Sequence, residues 1–300
     1  MKIFIAGGLG FIGGNLVNFF LHKGYQVTAV GTRSNPHAVD HHNFTYIAAD
    51  MTIKGDWQEE LEDIDVAINL VGRTIFKPWT KRYKNQIHDS RILSTRNLVD
   101  SIQKNKKIVL CNASAVGYYG NRGDEILEET ASQGNDFLAK VTGDWEGEAL
   151  KGEEKGIRVV MTRFGIVLGK DGGAMKKMLP AFRYFAGGPM GNGRQWFPWI
   201  HMDDLLSAVM LVMENTNIKG PVNFCSPQPV RNRDLAKTLG RILNRPSFMP
   251  APGFMIRLIL GELGSSLLCS QHCVPRVLLK HGFIFKYPDI RDAIQNFAQR

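Results

Sequence analysis

A doubly wound α/β fold with a parallel central sheet is what this sequence predicts, and two observations predict it. The chain opens on KIFIAGGLGFIGGNLVNFFLH, where an apolar strand over Lys2–Ala6 runs through a glycine-rich turn into an apolar-faced helix over Phe11–His22. Strand and helix patterns then alternate as far as Thr162, the order that builds parallel sheets. A length of 300 residues, 44% hydrophobic and 22% charged, is ample for a large core in an ordinary globular chain.

The opening turn carries chemistry as well as shape. Gly7 permits the tight turn, Gly10 lets the backbone approach a pyrophosphate, and Gly13 lets the helix pack on the strand. Leu9, Phe11 and Ile12 complete the turn, and the unpaired amides of the first helical turn face the phosphates with the helix dipole behind them.

Each later element adds a wall. The second strand, Gln26–Val30, ends at Gly31, Thr32 and Arg33. A site for the unphosphorylated dinucleotide places an acidic residue about 20 positions on, against the ribose 2′-hydroxyl. Arg33 stands 20 residues after Gly13, with no Asp or Glu beside it. A guanidinium forks onto a 2′-phosphate that a carboxylate would repel, so Thr32 and Arg33 favour NADP(H). Phe44–Ala48 is the third strand, followed by Asp50 and Met51 where an adenine would lie; His37, His41 and His42 before it read as solvated loop residues. Asp65–Leu70 is the fourth strand and brings Leu70, Val71 and Gly72 beside the cofactor. A helix over Lys81–Gln103, a strand over Ile108–Asn112, a helix near Asp136–Lys151 and a strand over Arg158–Thr162 complete the alternation.

Residues 1–168, rejoined by 195–225, are thus expected to form a dinucleotide-binding domain of Rossmann type. Residues 169–194 and 226–300 are expected to form a smaller substrate-side lobe.

Charge and cysteine usage narrow the function classes. The net charge of +9 suits anionic ligands, but the basic residues are scattered, KNKK at 104–107 being the densest cluster, so no nucleic-acid partner is expected. Glycines, Asn15 and Asn18 break the opening as a leader, and Phe254–Leu263 carries Arg257 and is too short to span a bilayer. No membrane partner is expected, and the cytoplasm is the default compartment. Cys269, His272 and Cys273 lack a second ligand pair at metal-site spacing, so Cys111, Cys225, Cys269 and Cys273 read as buried free thiols and no metal is expected. Oligomeric state is not legible.

Several longer motifs carry a family resemblance. SAVGYYG at 114–120, TRFGIVLG at 162–169 and WIHMDDL at 199–205 resemble an extended short-chain dehydrogenase/reductase. DSRILSTRNLV at 89–99, GGPMGNGRQWFPWIH at 187–201, SPQPVRNRDLAKTLG at 226–240 and GFIFKYP at 282–288 are similar to the atypical epimerase-family subgroup, sometimes labelled cell-division-inhibitor-like. The resemblance covers nearly the whole chain and departs locally at QHCVPRVLL, 271–279.

That resemblance implies a Ser, Tyr and Lys set, the Tyr and Lys four residues apart on one helix. The tyrosine exchanges a proton with the substrate oxygen, and the lysine lowers its pKa. Ser114 matches the serine, but no tyrosine of this chain has a lysine four residues on; in register with Glu146, Leu138 takes the tyrosine position and Thr142 the lysine position. Lys140 is turned roughly 200° away by two residues of helix. The remaining acids are Tyr118 or Tyr119, whose alternative is to pack as a pocket wall, or Ser114 through water.

The same resemblance puts Arg91 and, one turn earlier, Gln86 at the cofactor's edge, with Ala113 on the strand beside it and Phe164, Gly165 and Ile166 passing the nicotinamide. Gly187–Trp199 then lines the substrate cleft, with Arg194 and Gln195 as donors and Trp196 and Trp199 as flat faces; Trp79 closes it from the other side. Asp203 and Asp204 are expected to cap the helix Leu205–Val212 rather than bind metal. The implied function is an NADP(H)-dependent oxidoreductase of a small molecule lacking the Tyr–Lys pair. A non-catalytic NADP(H) sensor and a sugar-nucleotide epimerase are the alternatives.

Overall fold

The computed structural model describes residues 1–34, 40–170 and 172–298, so His37 lies outside the described residues. The first half of the chain runs β1 (Lys2–Ala6), α1 (Phe11–His22), β2 (Gln26–Gly31), β3 (Phe44–Ala48), β4 (Val66–Asn69), α2 (Lys81–Ser101), β5 (Val109–Ala115), β6 (Ile126–Leu127) and α3 (Phe137–Leu150). β7 (Arg158–Phe164), β8 (Ile166–Leu168), α4 (Gly173–Arg183), β9 (Trp196–Phe197), β10 (Trp199–His201), α5 (Met202–Glu214) and β11 (Gly220–Phe224) follow. The C-terminal part is β12 (Val230–Arg231), α6 (Asn232–Leu243), α7 (Gly253–Leu260), α8 (Glu262–Leu267), β13 (His272–Cys273), α9 (Arg276–Lys280) and α10 (Ile290–Ala298).

Seven strands form one sheet in the order β11-β7-β5-β4-β1-β2-β3, and each of its pairings is parallel. The doubly wound sheet expected from the alternation is therefore present. Chain order reverses between β1 and β4, the switch point at whose carboxyl end such sheets bind ligands.

Side-chain alternation along β1 explains the layering. Ile3 and Ile5 pack with Leu16, Val17 and Phe20 of α1 and with Leu205, Ala208 and Val212 of α5. Phe4 and Ala6 pack on the opposite face with Leu98 and Val99 of α2 and Ala149 of α3. A further core joins Leu168, Met175 and Phe182 to Leu235 and Leu239 of α6 and Ile294 of α10.

Two expectations change here. Trp199 does not line a cleft: it is fully buried in that further core, where bulk and shape outweigh its polar tip. Asp203 and Asp204 do not cap α5, because the His201 side chain accepts the Asp203 amide. Asp204 instead accepts the backbone amides of Lys286 and Tyr287, and Asp203 pairs with the Lys286 ammonium, pinning the GFIFKYP segment to the start of α5. Burial raises the Asp204 pKa against those two amides. Among the described residues no helix is long and apolar enough to cross a membrane.

Candidate cofactor and substrate site

The β1–α1 turn shows why glycine stands at each position. Gly7 has φ +78°, in the left-handed region, and a β-carbon at Gly13 would stand 2.3 Å from the Gly7 carbonyl oxygen. Gly10 is different: its backbone is ordinary, and a β-carbon there would meet nothing closer than 3.2 Å. No side chain caps α1, which leaves its first-turn amides facing the cleft without intrahelical partners.

Two cavities meet at this turn. The first, about 530 Å³, is walled by Gly7, Leu9, Gly10, Gly31, Thr32, Arg33, Asp50, Met51, Leu70, Val71, Gly72 and Gln86. Tyr46 also lines it and donates its hydroxyl to the Arg33 carbonyl at 2.8 Å, fixing the loop that carries that guanidinium. The second, about 460 Å³, shares Gly7, Gly10, Leu70, Gly72 and Arg73 with the first and adds Phe11, Ile12, Gly13, Arg91, Ala113, Ser114, Phe164 and Gly165. Leu138 and Thr142 both project into it, while Lys140 is exposed.

Ile166 departs from this arrangement. It pairs with Trp199 across β8 and β10, and it packs against the further core. Strand alternation explains the difference, since its neighbours Gly165 and Val167 line the cavity.

The two tyrosines are also placed elsewhere. Tyr119 is fully buried, donating to Asn223 Oδ1 at 2.7 Å and accepting from Arg163 at 2.9 Å. Burial raises its pKa, its proton is committed to Asn223, and it lines neither cavity. Tyr118 lies against the Arg163 guanidinium, 3.6 Å from ring centroid to carbon, and is not part of either cavity wall.

Ser114 does face the second cavity, yet its hydroxyl donates to Glu146 at 2.5 Å. Glu146 in turn takes two bonds of 2.8 Å from Arg163, which is buried beside it. Burial alone would lower the Arg163 pKa; the bonds and charge of Glu146 outweigh that and raise it. Thr142 donates to the carbonyls of Leu138, at 2.8 Å, and Ala139. Both hydroxyl protons are committed within the protein.

Several wall residues carried no signal in the sequence. Arg73 lines both cavities from the loop after β4. Trp145 donates to Thr95 at 2.8 Å, and Thr95 and Asn112 are joined through Asn69, whose Oδ1 also accepts the Val71 amide. The one hint was an asparagine within each of two apolar strands, Asn69 in β4 and Asn112 in β5. Such polar residues in buried positions need partners, and here they position the cavity wall.

The expected substrate-side residues fall in adjoining cavities. Trp79 and Leu138 line one of about 690 Å³, and Arg194 and Gln195 line another of about 730 Å³; Arg257 and Leu268 belong to both. Trp196 lines neither cavity and offers no free flat face: its indole nitrogen donates to Asp124, the Arg231 guanidinium lies 3.9 Å from its ring centroid, and the His272 ring stacks on it at 4.0 Å. The four cysteines are unpaired, Cys269 being only half-buried. Among the described residues no cluster of three His, Cys, Asp or Glu is placed to hold a metal.

A family model described as NAD dependent epimerase/dehydratase matches residues 3–224, the whole of the sheet and its glycine turn. The chain belongs to the NAD dependent epimerase/dehydratase family. Residues 251–297, which carry α7 to α10, match a domain of unknown function, DUF1731. Within the family, the chain is 37% identical over 308 residues to the chloroplastic epimerase family protein SDR39U1 homolog of Arabidopsis thaliana, covering 100% of this chain and 87% of that one. It is 36% identical over 297 residues to epimerase family protein YfhF of Bacillus subtilis, covering 98% and 97%. The crystal structure of human epimerase family protein SDR39U1 (isoform 2) with NADPH superposes with a TM-score of 0.87 at 28% identity, covering 100% of both chains. These relatives agree with the subgroup that the motifs resemble.

Proposed function

We propose that this chain binds NADP(H) along the paired cavities and acts as an oxidoreductase on a small molecule, without the Tyr–Lys relay. The residues fit the dinucleotide. The glycine cradle leaves room at Gly10 for a pyrophosphate, the open N-terminus of α1 supplies amides, and Arg33 offers a guanidinium where a 2′-phosphate would stand. A human relative crystallised with NADPH supports the same choice. When bound, the dinucleotide supplies a hydride carrier. Phe164 and Gly165 give the nicotinamide side an apolar and backbone wall, and Leu138, Val141 and Trp145 exclude water from it.

The observation that carries the missing relay is the pair Leu138 and Thr142, both turned into the second cavity at the expected register. The committed protons of Ser114 and Thr142 also favour a second reading, a non-catalytic NADP(H) sensor. Sugar-nucleotide epimerisation fits least, since it needs a base that neither hydroxyl supplies. The test is an assay of the protein with NADPH against simple ketones, and of nucleotide sugars for epimer formation. Saturable NADPH binding with turnover well below about 1 per second is expected, and epimerisation at ordinary enzyme rates overturns the reading.

A further inference from the structure

The second cavity has an unbalanced charge. Its walls are mostly apolar, with Phe11, Ile75, Leu138 and Trp145 prominent, and its ionisable side chains are Arg73 and Arg91, with no acid among them. Arg91 is the enclosed one. A single guanidinium nitrogen, Nη1, serves the Ile87 and Arg73 carbonyls at 2.8 and 3.2 Å. The guanidinium lies 5.2 Å from the Trp145 ring centroid and packs so closely on Gly72 that a β-carbon there would stand 2.9 Å from it. Among the described residues no carboxylate pairs with it, and its Nε and Nη2 have no protein acceptor. Burial pushes its pKa down to about 10, so it remains a cation at neutral pH.

On the NADP(H) reading, the dinucleotide's anionic groups would find partners elsewhere. Arg33 stands at the adenosine end, the α1 amides at the turn, and Arg73 where the two cavities meet. Arg91 lines the second cavity and not the first. We infer that Arg91 is the specificity-determining residue for an anionic substrate, a flat apolar molecule bearing a carboxylate that forks onto its Nε and Nη2 beside Trp145. This rests on the NADP(H) reading above and names the substrate class for that same site. A neutral sugar would leave the cation without a counter-charge, whereas a carboxylate on an aromatic or conjugated body matches both the guanidinium and the apolar walls.

The experiment compares trans-cinnamate with its neutral isostere trans-cinnamamide by calorimetric titration, on protein with and without NADP⁺. Cinnamate should bind at least about tenfold more tightly than cinnamamide, and Arg91→Gln should abolish that preference in the cofactor-free protein as well as with NADP⁺. Arg91→Lys keeps the charge but loses the planar fork, so cinnamate should weaken measurably there too; this variant decides the matter if Arg91→Gln does not melt cooperatively. Equal binding of the two probes to the wild type overturns the inference, as does an unchanged preference in a folded Arg91 variant. Failure of the wild type to bind NADPH contradicts the cofactor reading instead, and the cinnamate preference of the cofactor-free protein still decides this one.

Discussion

Thr142 turns its hydroxyl onto the carbonyl of Leu138, 2.8 Å away, and both side chains stand on the face of α3 that lines the second cavity. One helical turn separates them, the spacing that brings i and i+4 side chains together. The family's proton relay needs a phenol and an ammonium on such a face. This chain supplies an isobutyl group and a hydroxyl that bonds its own helix.

Leu138→Tyr combined with Thr142→Lys should therefore raise NADPH-dependent reduction of a simple ketone above the wild type, by about 10²-fold if the new phenol becomes a working acid. Either substitution alone should give little. The measurement is NADPH oxidation by the double and both single variants under one substrate. A double variant no faster than the singles would show that this helix face does not reach the reacting atoms.

Gly10 and Gly13 should separate binding from folding. Gly10→Val puts a side chain into the phosphate space while its nearest neighbour is 3.2 Å away, so the fold should survive and dinucleotide binding should be lost. Gly13→Val drives a β-carbon to 2.3 Å from the Gly7 carbonyl and should fail to fold or melt far lower. Thermal melts and NADPH titration of the two variants check the contrast.

Glu129 ties β11 to the start of α9 by accepting the amides of Asn223 and Val277 at 3.1 and 3.0 Å. Burial raises its pKa above the ordinary 4.5, those two amides opposing the shift. A carboxyl raised in the folded state stabilises most below its unfolded value, and that contribution is lost as pH rises through the folded one. Glu129→Gln keeps the accepting oxygen and removes the titration. Its melting temperature relative to the wild type should rise between pH 4.5 and neutrality, and a difference constant across that range would contradict the assignment.

What was legible in the sequence was local. Glycines at the β1–α1 turn and apolar runs of strand length specify their own backbone, and their alternation with helices suffices for a doubly wound parallel sheet. What stayed illegible depends on partners far along the chain. Tyr119 is a core residue because Asn223, 104 positions on, accepts its hydroxyl. Asp204 anchors a loop rather than capping a helix because Lys286 and Tyr287 return to it. Trp199 and Ile166 share the β8–β10 ladder, and only that pairing determines which side chains face the cavity. Arg73, one residue past Gly72, had no pattern to mark it.

Cofactor choice is tested most directly at Arg33. Arg33 lines the first cavity at the end of β2, with its carbonyl held by Tyr46. A charge-assisted phosphate contact contributes about 1.5–3 kcal/mol, or roughly 10- to 150-fold in affinity. Titrating the wild type and Arg33→Ala with NADPH and NADH, followed by intrinsic fluorescence, should show NADPH bound at least about tenfold more tightly by the wild type, with the preference lost and NADH unchanged in the variant. Equal affinities in the wild type, or NADPH binding untouched by Arg33→Ala, would contradict it.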